Sequence, residues 1–434
     1  MNVIFFSMVV VAFLVAGFRQ LVWVPAAPDA VAPMDALTSA VVEAAGGAVT
    51  LAIGLVGMMA LFLGLMKVAE AGGMLTIIAK IVRPVMVRLF PDVPPNHPAM
   101  GAMILNISAN ALGLGNAATP FGIRAMQELD SLNPQKGTAT NAMVLFLAIN
   151  TSGVTLLPTG VIALRASAGS ADPAGILATT LFATSMSTTA AVIAAKLYQR
   201  WTTMMPEATS RAPDAEAAPV TPANIEAGGE AAEGAYPAWV SAVALIALAA
   251  LIPLAVIHGR QIGPWVIPSL IVALLTFGVA RRVRVYEVLV DGARDGFQVA
   301  LRIIPYLVAI LVAVAMLRAS GALDVLVGWL SPITSLVGLP GEALPMALLR
   351  PLSGTGAYGV LAATIKDPAI GPDSYVGYLV STLQGSTETT FYVLAVYFGA
   401  VQVRRIRHAM GAALTADVAG IAGAIIACSY LYGG

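Results

Sequence analysis

Charge is scarce in this sequence. Only 11% of its 434 residues are charged, whereas 58% are hydrophobic. A soluble domain carries about 25% charged residues, so this chain has too little charge to cover the surface of a water-soluble globule of its size. Lysine plus arginine and aspartate plus glutamate balance at 23 each, which leaves no basic excess to attract a nucleic acid. These shortages exclude an ordinary soluble enzyme, a disordered tail and a nucleic-acid-binding protein, and they predict a polytopic protein of the lipid bilayer.

Cysteine and histidine are also scarce. The single Cys428 excludes a disulfide framework within the chain and a thiolate metal site. His97, His258 and His408 lie far apart, and none has the spacing of metal ligands. The sequence contains neither a Gly-x-Ser-x-Gly nucleophile motif nor a Gly-x-x-x-x-Gly-Lys-[Ser/Thr] phosphate loop. We therefore expect no catalytic residues, no metal, no cofactor and no ATP-driven step, and we expect the protein not to be an enzyme.

What the sequence has in abundance is long apolar runs. Stretches of about 17 or more apolar residues indicate membrane helices. Nine such crossings are predicted: Val3–Phe18, Val49–Met66, Ala142–Leu164, Ile176–Ala195, Trp239–Ile257, Trp265–Ala280, Val299–Leu317, Tyr378–Ala400 and Ala409–Tyr430. A signal peptide is the alternative for the first run, although no basic residue precedes it.

One polar stretch divides the chain. Residues 201–235 are rich in Ala, Pro, Glu and Gly, a composition that cannot form a packed core and is typical of a flexible linker, here expected in the cytoplasm. The halves on either side, 1–200 and 236–434, look duplicated. Glu43, Ala71, Gly73, Leu75 and Pro84 have counterparts 248 positions later in Asp291, Ala319, Gly321, Leu323 and Pro332, and the run 150–155 aligns with 384–389. Conserved order and spacing favour an internal repeat over chance.

Basic residues indicate the orientation of each half. They collect in four clusters: Lys80, Arg83 and Arg88; Lys196 and Arg200; Arg281, Arg282 and Arg284; and Arg404, Arg405 and Arg407. Placing all four in the cytoplasm fits nine crossings with the N-terminus inside and the C-terminus outside, if Pro98–Gly115 and Pro345–Leu361 each enter and leave on one face. The predicted fold is therefore an all-α polytopic membrane protein with about nine crossings, two re-entrant or broken segments and two inverted-topology repeats. This pattern is typical of secondary transporters.

The first segment that could bind a ligand is polar at membrane depth. It combines three amides, hydroxyls, glycines and a proline: Asn106, Ser108, Asn110, Gly113, Gly115, Asn116, Thr119 and Pro120. Pro120 and the glycines favour a break in the helix, and a break frees backbone groups that only protein or a water-filled cavity can satisfy. The asparagines could then bind a polar ligand. The alternative is close helix packing, with each Asn bonded to a neighbouring helix.

The second half offers two further segments. In the first, Arg350 precedes Pro351, Ser353 and Thr355; its guanidinium could hold a carboxylate or phosphate, or could instead reach the interface or pair with a structural carboxylate. In the second, Gln384, Ser386 and Thr387 precede Glu388 inside an apolar span. Burial would raise the pKa of Glu388 and favour proton loading, and its hydroxyl neighbours could help coordinate Na⁺. A structural pair between Glu388 and an arginine stays open. The repeat partner of this run, Asn150, Thr151 and Ser152, has no carboxylate.

These segments resemble the spore maturation protein A and B families. The stretches His97–Pro120 and Phe146–Thr159 look like spore maturation protein A; Ile304–Ala309, Arg318–Asp324 and Gln384–Gly399 look like spore maturation protein B. The chain thus resembles a fusion of the two, with an A-like half at 1–200 and a B-like half at 236–434. The resemblance implies two nucleoside-recognition gate domains, which also occur in concentrative nucleoside transporters and in ferrous-iron transport proteins.

The leading hypothesis is a secondary transporter of a small polar metabolite in the cytoplasmic (inner) membrane, working by alternating access between inverted halves. A nucleoside is the cargo that the resemblance suggests; an amino acid, a peptide or a cell-wall precursor is also open. Glu388 would couple transport to H⁺ or Na⁺. The expected substrate-binding residues are Asn106, Asn110, Asn116, Thr119, Asn150, Thr151, Ser152, Arg350, Ser353, Thr355, Gln384, Ser386 and Thr387. The alternatives are a non-transporting scaffold for envelope assembly or maturation, and an ion channel. Whether copies of the chain assemble is open.

Overall fold

The computed structural model describes residues 2–25, 30–113, 115–153, 155–202, 236–334 and 337–433. Within these ranges the chain is helical, and its one bridge of β type joins Thr138 and Arg405. The helices of the first half are α1 (Asn2–Leu21), α2 (Pro33–Ala71), α3 (Met74–Leu89), α4 (Pro98–Ala111), α5 (Gly115–Ser131), α6 (Asn141–Thr151), α7 (Thr159–Ser167) and α8 (Ile176–Tyr198). Those of the second half are α9 (Ala238–Ala280), α10 (Val285–Ala319), α11 (Ala322–Thr334), α12 (Leu344–Leu349), α13 (Gly354–Lys366), α14 (Tyr375–Ser386), α15 (Thr390–Gly399) and α16 (Ala409–Tyr432).

The nearly all-helical structure of the described residues confirms the prediction of a helical membrane protein. By length and composition, the described residues contain two helices suited to crossing a membrane, α8 and α16. A third is added if the bent pair Val56–Ala71 and Met74–Leu89, which meet at 70°, counts as one span. The nine crossings, the signal-peptide alternative and the orientation of the termini stay predictions. The predicted linker lies almost wholly outside the described residues.

Four of the predicted runs do not correspond to one helix each. The run Ala142–Leu164 is split into α6 and α7, and the run Tyr378–Ala400 into α14 and α15. The sequence predicts both as continuous because their polar residues are few among many apolar ones. Conversely, Trp239–Ile257 and Trp265–Ala280 form the single helix α9 of 43 residues, which continues through the short polar stretch between them.

The two halves repeat the same local features. Gly73, between α2 and α3, and its counterpart Gly321, between α10 and α11, both have positive φ, at 81° and 78°. Only glycine adopts this conformation without strain, so each half makes the same sharp turn at the same place. Pro84 lies inside α3, and Pro332 lies inside α11. The repeat suggested by the sequence thus has matching elements in the structure.

Corresponding helices of the two halves pair with opposite directions. Gly64 of α2 contacts α10 at Leu289, where a Cβ on Gly64 would lie 2.6 Å from the carbonyl oxygen. Gly296 lies further along α10 and contacts Ala60, which lies earlier in α2; a Cβ on Gly296 would be 2.6 Å from Cα of Ala60. The same order holds for α8 and α16. Gly420 approaches Ser187, whereas the hydroxyl of Tyr432 donates to the carbonyl of Gly175 at 2.8 Å. Both pairs are therefore antiparallel.

The apolar cores contain elements of both halves. One core is formed mainly by α4, α5 and α6 with α15 and the first turns of α16. A second is formed mainly by α7 with α12, α13 and α14, and a small third core joins α2 to Leu274 of α9. Because each half supplies part of each core, the broken helices of the two halves are held against one another.

Candidate functional site

Local sequence sets where the short helices begin. Thr140 caps α6 by accepting from the backbone N–H of Met143, and Ser374 caps α14 by accepting from that of Gly377. Ser353 caps α13 in the same way by accepting from Gly356 at 3.0 Å. A hydroxyl at the N-cap satisfies a backbone N–H that has no partner within the helix. These caps fix the first turns of α6, α13 and α14, and the opposite ends of α6 and α14, at Thr151 and Ser386, are the ones that meet.

The break between α6 and α7 and the break between α14 and α15 cross each other. The backbone N–H of Glu388 donates to the carbonyl of Thr151 at 3.0 Å, so each break satisfies a group that the other frees. Gly153 has φ of 96°, and a Cβ there would lie 2.7 Å from the carbonyl oxygen of Ser386. Glycine is required here by both the backbone conformation and the closeness of the two segments.

A cavity of about 260 Å³ lies beside the crossing. Its wall includes four of the predicted site residues, Asn110, Arg350, Gln384 and Glu388. The remaining wall is formed mainly by the segment that leads into α7 and the first turn of that helix, between Thr155 and Val161, and by Gly354 and Tyr358 of α13. Both halves therefore contribute to one small cavity, and the charged side chains among its described lining residues are Arg350 and Glu388.

Arg350 is held by the second break. It is 6% exposed, donates from Nη1 to the hydroxyl of Thr389 at 3.1 Å, and donates from Nη2 to the carbonyl of Thr387. Its Nε has no hydrogen-bond partner among the described groups. The reading in which this arginine reaches the interface is thus disfavoured, because the guanidinium is fixed inside the protein.

Glu388 differs from the prediction in its burial. Its side chain is 44% exposed, and Oε2 lies 3.6 Å from Nη2 of Arg350. This distance makes an ion pair but exceeds hydrogen-bond length. The expected deep burial of Glu388 is wrong, because the break turns the carboxylate toward the cavity. The pair between Glu388 and an arginine, which the sequence left open, is present, and its 3.6 Å separation makes it a loose ion pair.

The asparagines form a buried network around Tyr397. Nδ2 of Asn110 donates to Oδ1 of Asn150 at 2.9 Å, and the hydroxyl of Tyr397 donates to the same oxygen at 3.3 Å. Nδ2 of Asn106 donates to the carbonyl of Ala118 at 2.7 Å and to Tyr397 at 3.1 Å. Asn106 and Asn150 thus join helices, as in the packing alternative, whereas Asn110 also reaches the cavity.

The other predicted residues lie around the crossing or in neighbouring helices. Thr151 and Ser152 donate to carbonyls of their own helix, and Ser152 also contacts the hydroxyl of Thr188 at 2.9 Å. Ser353 contacts Thr355 across 3.4 Å. Ser386 and Thr387 are buried in the second break, and Thr119 lies half-buried in α5. The side chain of Asn116 lies outside the described residues.

Sequence reasoning missed Asp417. It is 4% exposed within α16, where Oδ2 accepts from the hydroxyl of Thr390 at 2.8 Å and Oδ1 has no described partner. Its charge acts on Arg350, together with that of Glu388. An acid within the apolar run Ala409–Tyr430 was a visible signal, but its nearness to Arg350 depends on the fold. Tyr358, whose hydroxyl donates to the carbonyl of Gly160 at 2.9 Å, was also missed.

The far ends of the crossing helices are bound to the opposite half. Arg165, fully buried at the end of α7, donates from Nη2 to Asp373 at 3.0 Å and from Nη1 to the carbonyl of Pro372 at 2.6 Å. Burial raises the pKa of the nearby Asp172 in the loop after α7, and Arg165 opposes this effect. At the other ends, Arg407 donates to the carbonyl of Ala139 at 3.0 Å. The crossing is thus braced on both sides.

Comparison with known proteins identifies the family. A family model described as "Gate: Nucleoside recognition" matches residues 52–168 and 300–404, which is half of the chain. Spore maturation protein B of Bacillus subtilis (strain 168) is 45% identical over 167 residues, which cover 38% of this chain and 93% of the relative. The chain belongs to the nucleoside-recognition Gate family. Spore maturation protein A of the same organism is 45% identical over 157 residues, which cover 36% of this Gate-family chain and 80% of the relative.

A third relative matches a shorter part of the chain, and the cavity can be located relative to the residues that the family model matches. Inner membrane protein YjiG of Escherichia coli (strain K12) is 37% identical over 83 residues, 19% of the chain and 54% of the relative. No solved structure gives a significant match. Two relatives that each correspond to about a third of the chain are consistent with a fusion, as the sequence suggested. All described residues that line the cavity fall within the two Gate stretches.

Proposed function

We propose that this Gate-family protein is a secondary transporter of a small polar metabolite. The observation that carries the proposal is the crossing of two interrupted helices, one from each half, beside a cavity with a loose ion pair. Interrupted helices that meet near the middle of the molecule are how secondary transporters build their binding sites. A volume of about 260 Å³ lies just below the range for drug-sized ligands and suits a small metabolite.

Alternating access between inverted halves is the mode that we propose. The antiparallel pairing of α2 with α10 and of α8 with α16 supports inversion, because a two-fold axis in the membrane plane relates corresponding helices in opposite directions. From the basic clusters we further propose that the N-terminus lies in the cytoplasm and the C-terminus outside. The E. coli relative is named as an inner membrane protein, which supports that membrane as the location.

The proposed roles follow from the cavity and its supports. Asn110, Gln384, Arg350 and Glu388 would contact the substrate directly. The remaining predicted residues would hold these four in place or line the path to them. Glu388, as the accessible acid, would carry the coupling H⁺ or Na⁺. The family description makes a nucleoside one candidate cargo, beside amino acids, peptides and cell-wall precursors.

Uptake into vesicles tests this proposal. The purified protein is reconstituted, and accumulation of uridine, of alanine and of glycylglycine is followed under an H⁺ or Na⁺ gradient, imposed inward in one series and outward in another. We expect gradient-driven accumulation of at least one compound, its loss in Glu388→Gln, and its retention in Asp291→Asn, a control at an acid whose side chain is 66% exposed on α10. Uptake that survives unchanged in Glu388→Gln refutes the coupling role. Conductance without accumulation supports a channel, and the lack of both supports a scaffold.

A further inference from the structure

The wall of the cavity includes one charged side chain of each sign. Glu388 is half-exposed to the cavity, and Arg350, which is largely buried, lines the same wall. Their closest charged atoms are 3.6 Å apart, too far for the hydrogen bond that makes a closed ion pair strong. Glu388 can therefore turn from Arg350 to a ligand without breaking a tight contact.

Polar atoms beside this pair also lack partners. Nε of Arg350 and Oε1 of Gln384 are buried and have no hydrogen-bond partner among the described groups. Buried polar groups are almost always satisfied, so each orphan requires a cause such as a ligand. One of these atoms is a donor of the guanidinium itself, and the other is an acceptor on a residue four positions before Glu388.

Arg350 has partners other than Glu388. Its Nη1 donates to the hydroxyl of Thr389 at 3.1 Å, and its Nη2 donates to the carbonyl of Thr387. When Glu388 turns to a ligand, the guanidinium keeps these two hydrogen bonds. Removing a sole partner from a buried ion is costly, so the two bonds lower the free energy needed to open the pair.

A neutral ligand does not suit this wall. It would displace water from both charges and give neither an opposite charge in return, which leaves the desolvation of Arg350 and Glu388 uncompensated. A molecule with only an anion or only a cation compensates one of the two. A molecule that has both charges on groups attached to the same carbon, as an α-amino acid does, compensates both.

We infer that the cavity binds a zwitterion, a small molecule whose carboxylate faces Arg350 and whose ammonium faces Glu388 and the amide oxygen of Gln384. The inference rests on the proposed transport function and narrows its cargo to free amino acids. Because the ammonium and the coupling cation would use the same carboxylate, they exclude each other there. Exchange of substrate for H⁺ or Na⁺ is the mode that follows.

Thermal stabilisation of the purified protein in detergent tests the inference. The probes are the twenty protein amino acids, glycylglycine and uridine; for the strongest zwitterion, the α-amide and the N-acetyl derivative follow, which remove the negative and the positive charge respectively. We expect saturable stabilisation by at least one zwitterion and at least 10-fold weaker binding of both derivatives. In Glu388→Gln, the discrimination against the N-acetyl derivative should fall, whereas Glu43→Gln, at an exposed acid in a different groove, should retain it.

The outcomes separate this inference from the transport proposal. Stabilisation by uridine but by no zwitterion overturns the inference and leaves a transporter of nucleosides. Equal binding of the amino acid and its derivatives overturns it as well, because the charges would then not be recognised. Stabilisation by no probe overturns the inference, and vesicle uptake then decides whether the transport proposal also fails.

Discussion

Replacement of Gly153 by alanine perturbs the point where the two broken helices meet. The new methyl group would lie 2.7 Å from the carbonyl oxygen of Ser386 and 3.1 Å from Cα of Thr387. A left-handed backbone costs a non-glycine residue about 1–2 kcal/mol. Forcing two packed segments apart adds about 1–3 kcal/mol, because backbone cannot move aside as a side-chain tip does. We expect Gly153→Ala to lower the free energy of unfolding by about 2–5 kcal/mol.

Gly169→Ala provides the matched control for this experiment. Gly169 also has a positive φ, of 79°, but a Cβ there would meet no atom within 4 Å. Gly169→Ala should therefore lower the free energy of unfolding only by the cost of the left-handed backbone, about 1–2 kcal/mol. Unfolding in mixed micelles with increasing denaturing detergent, followed by tryptophan fluorescence, measures both variants. Equal losses in the two variants would refute the close approach of the two breaks.

Three further substitutions test the supports of the crossing. Arg165→Lys should destabilise the protein by about 2–4 kcal/mol, because lysine cannot reproduce the forked contacts of a fully buried guanidinium. The control Arg294→Lys, at a side chain 76% exposed, should change stability by no more than about 0.5 kcal/mol. Equal effects in unfolding titrations would contradict the bracing role of Arg165. Tyr397→Phe should cost about 1–3 kcal/mol by depriving Asn150 of a buried partner, and an unchanged Tm contradicts that network. Burial and Arg407 lower the pKa of His408 from 6.5 to about 4. As the pH falls through 6.5, the unfolded chain therefore takes up a proton before the folded chain does, which destabilises the fold. Between pH 7 and 5 the free energy of unfolding should fall by about 1 kcal/mol more in the wild type than in His408→Gln, after allowance for solvent screening. Parallel pH profiles of the two proteins would contradict this.

Local sequence predicted the parts of this fold that local chemistry determines. Breaks near Gly113 and Arg350 were visible because proline, glycine and hydroxyl residues interrupt apolar runs. The position of Gly73 and its repeat Gly321 was visible from spacing alone, and both glycines make the same turn. The family was also visible, since long motifs survive in both halves.

The parts that depend on partners distant in sequence were less accessible. Nothing near Thr151 reveals that its carbonyl accepts from Glu388, so the helix through residues 142–164 looked continuous. For the same reason Glu388 was expected to be buried, although the crossing turns it toward the cavity. Asp417 was visible as an acid in an apolar helix, but only the packing of α16 brings its charge near Arg350. Site chemistry here arises from contacts between the halves.

A single cysteine in the cavity tests alternating access most directly. Gly160 lines the cavity and a Cβ there meets no atom within 4 Å, so Gly160→Cys fits without strain; Cys428→Ala removes the native thiol. Reconstituted protein of known orientation is treated with a membrane-impermeant maleimide from either side, with and without the probe that stabilises it. Labelling from both sides, in proportions that the probe shifts, is the result that the account predicts. Labelling from one side only, unchanged by every probe and ion gradient, would contradict it.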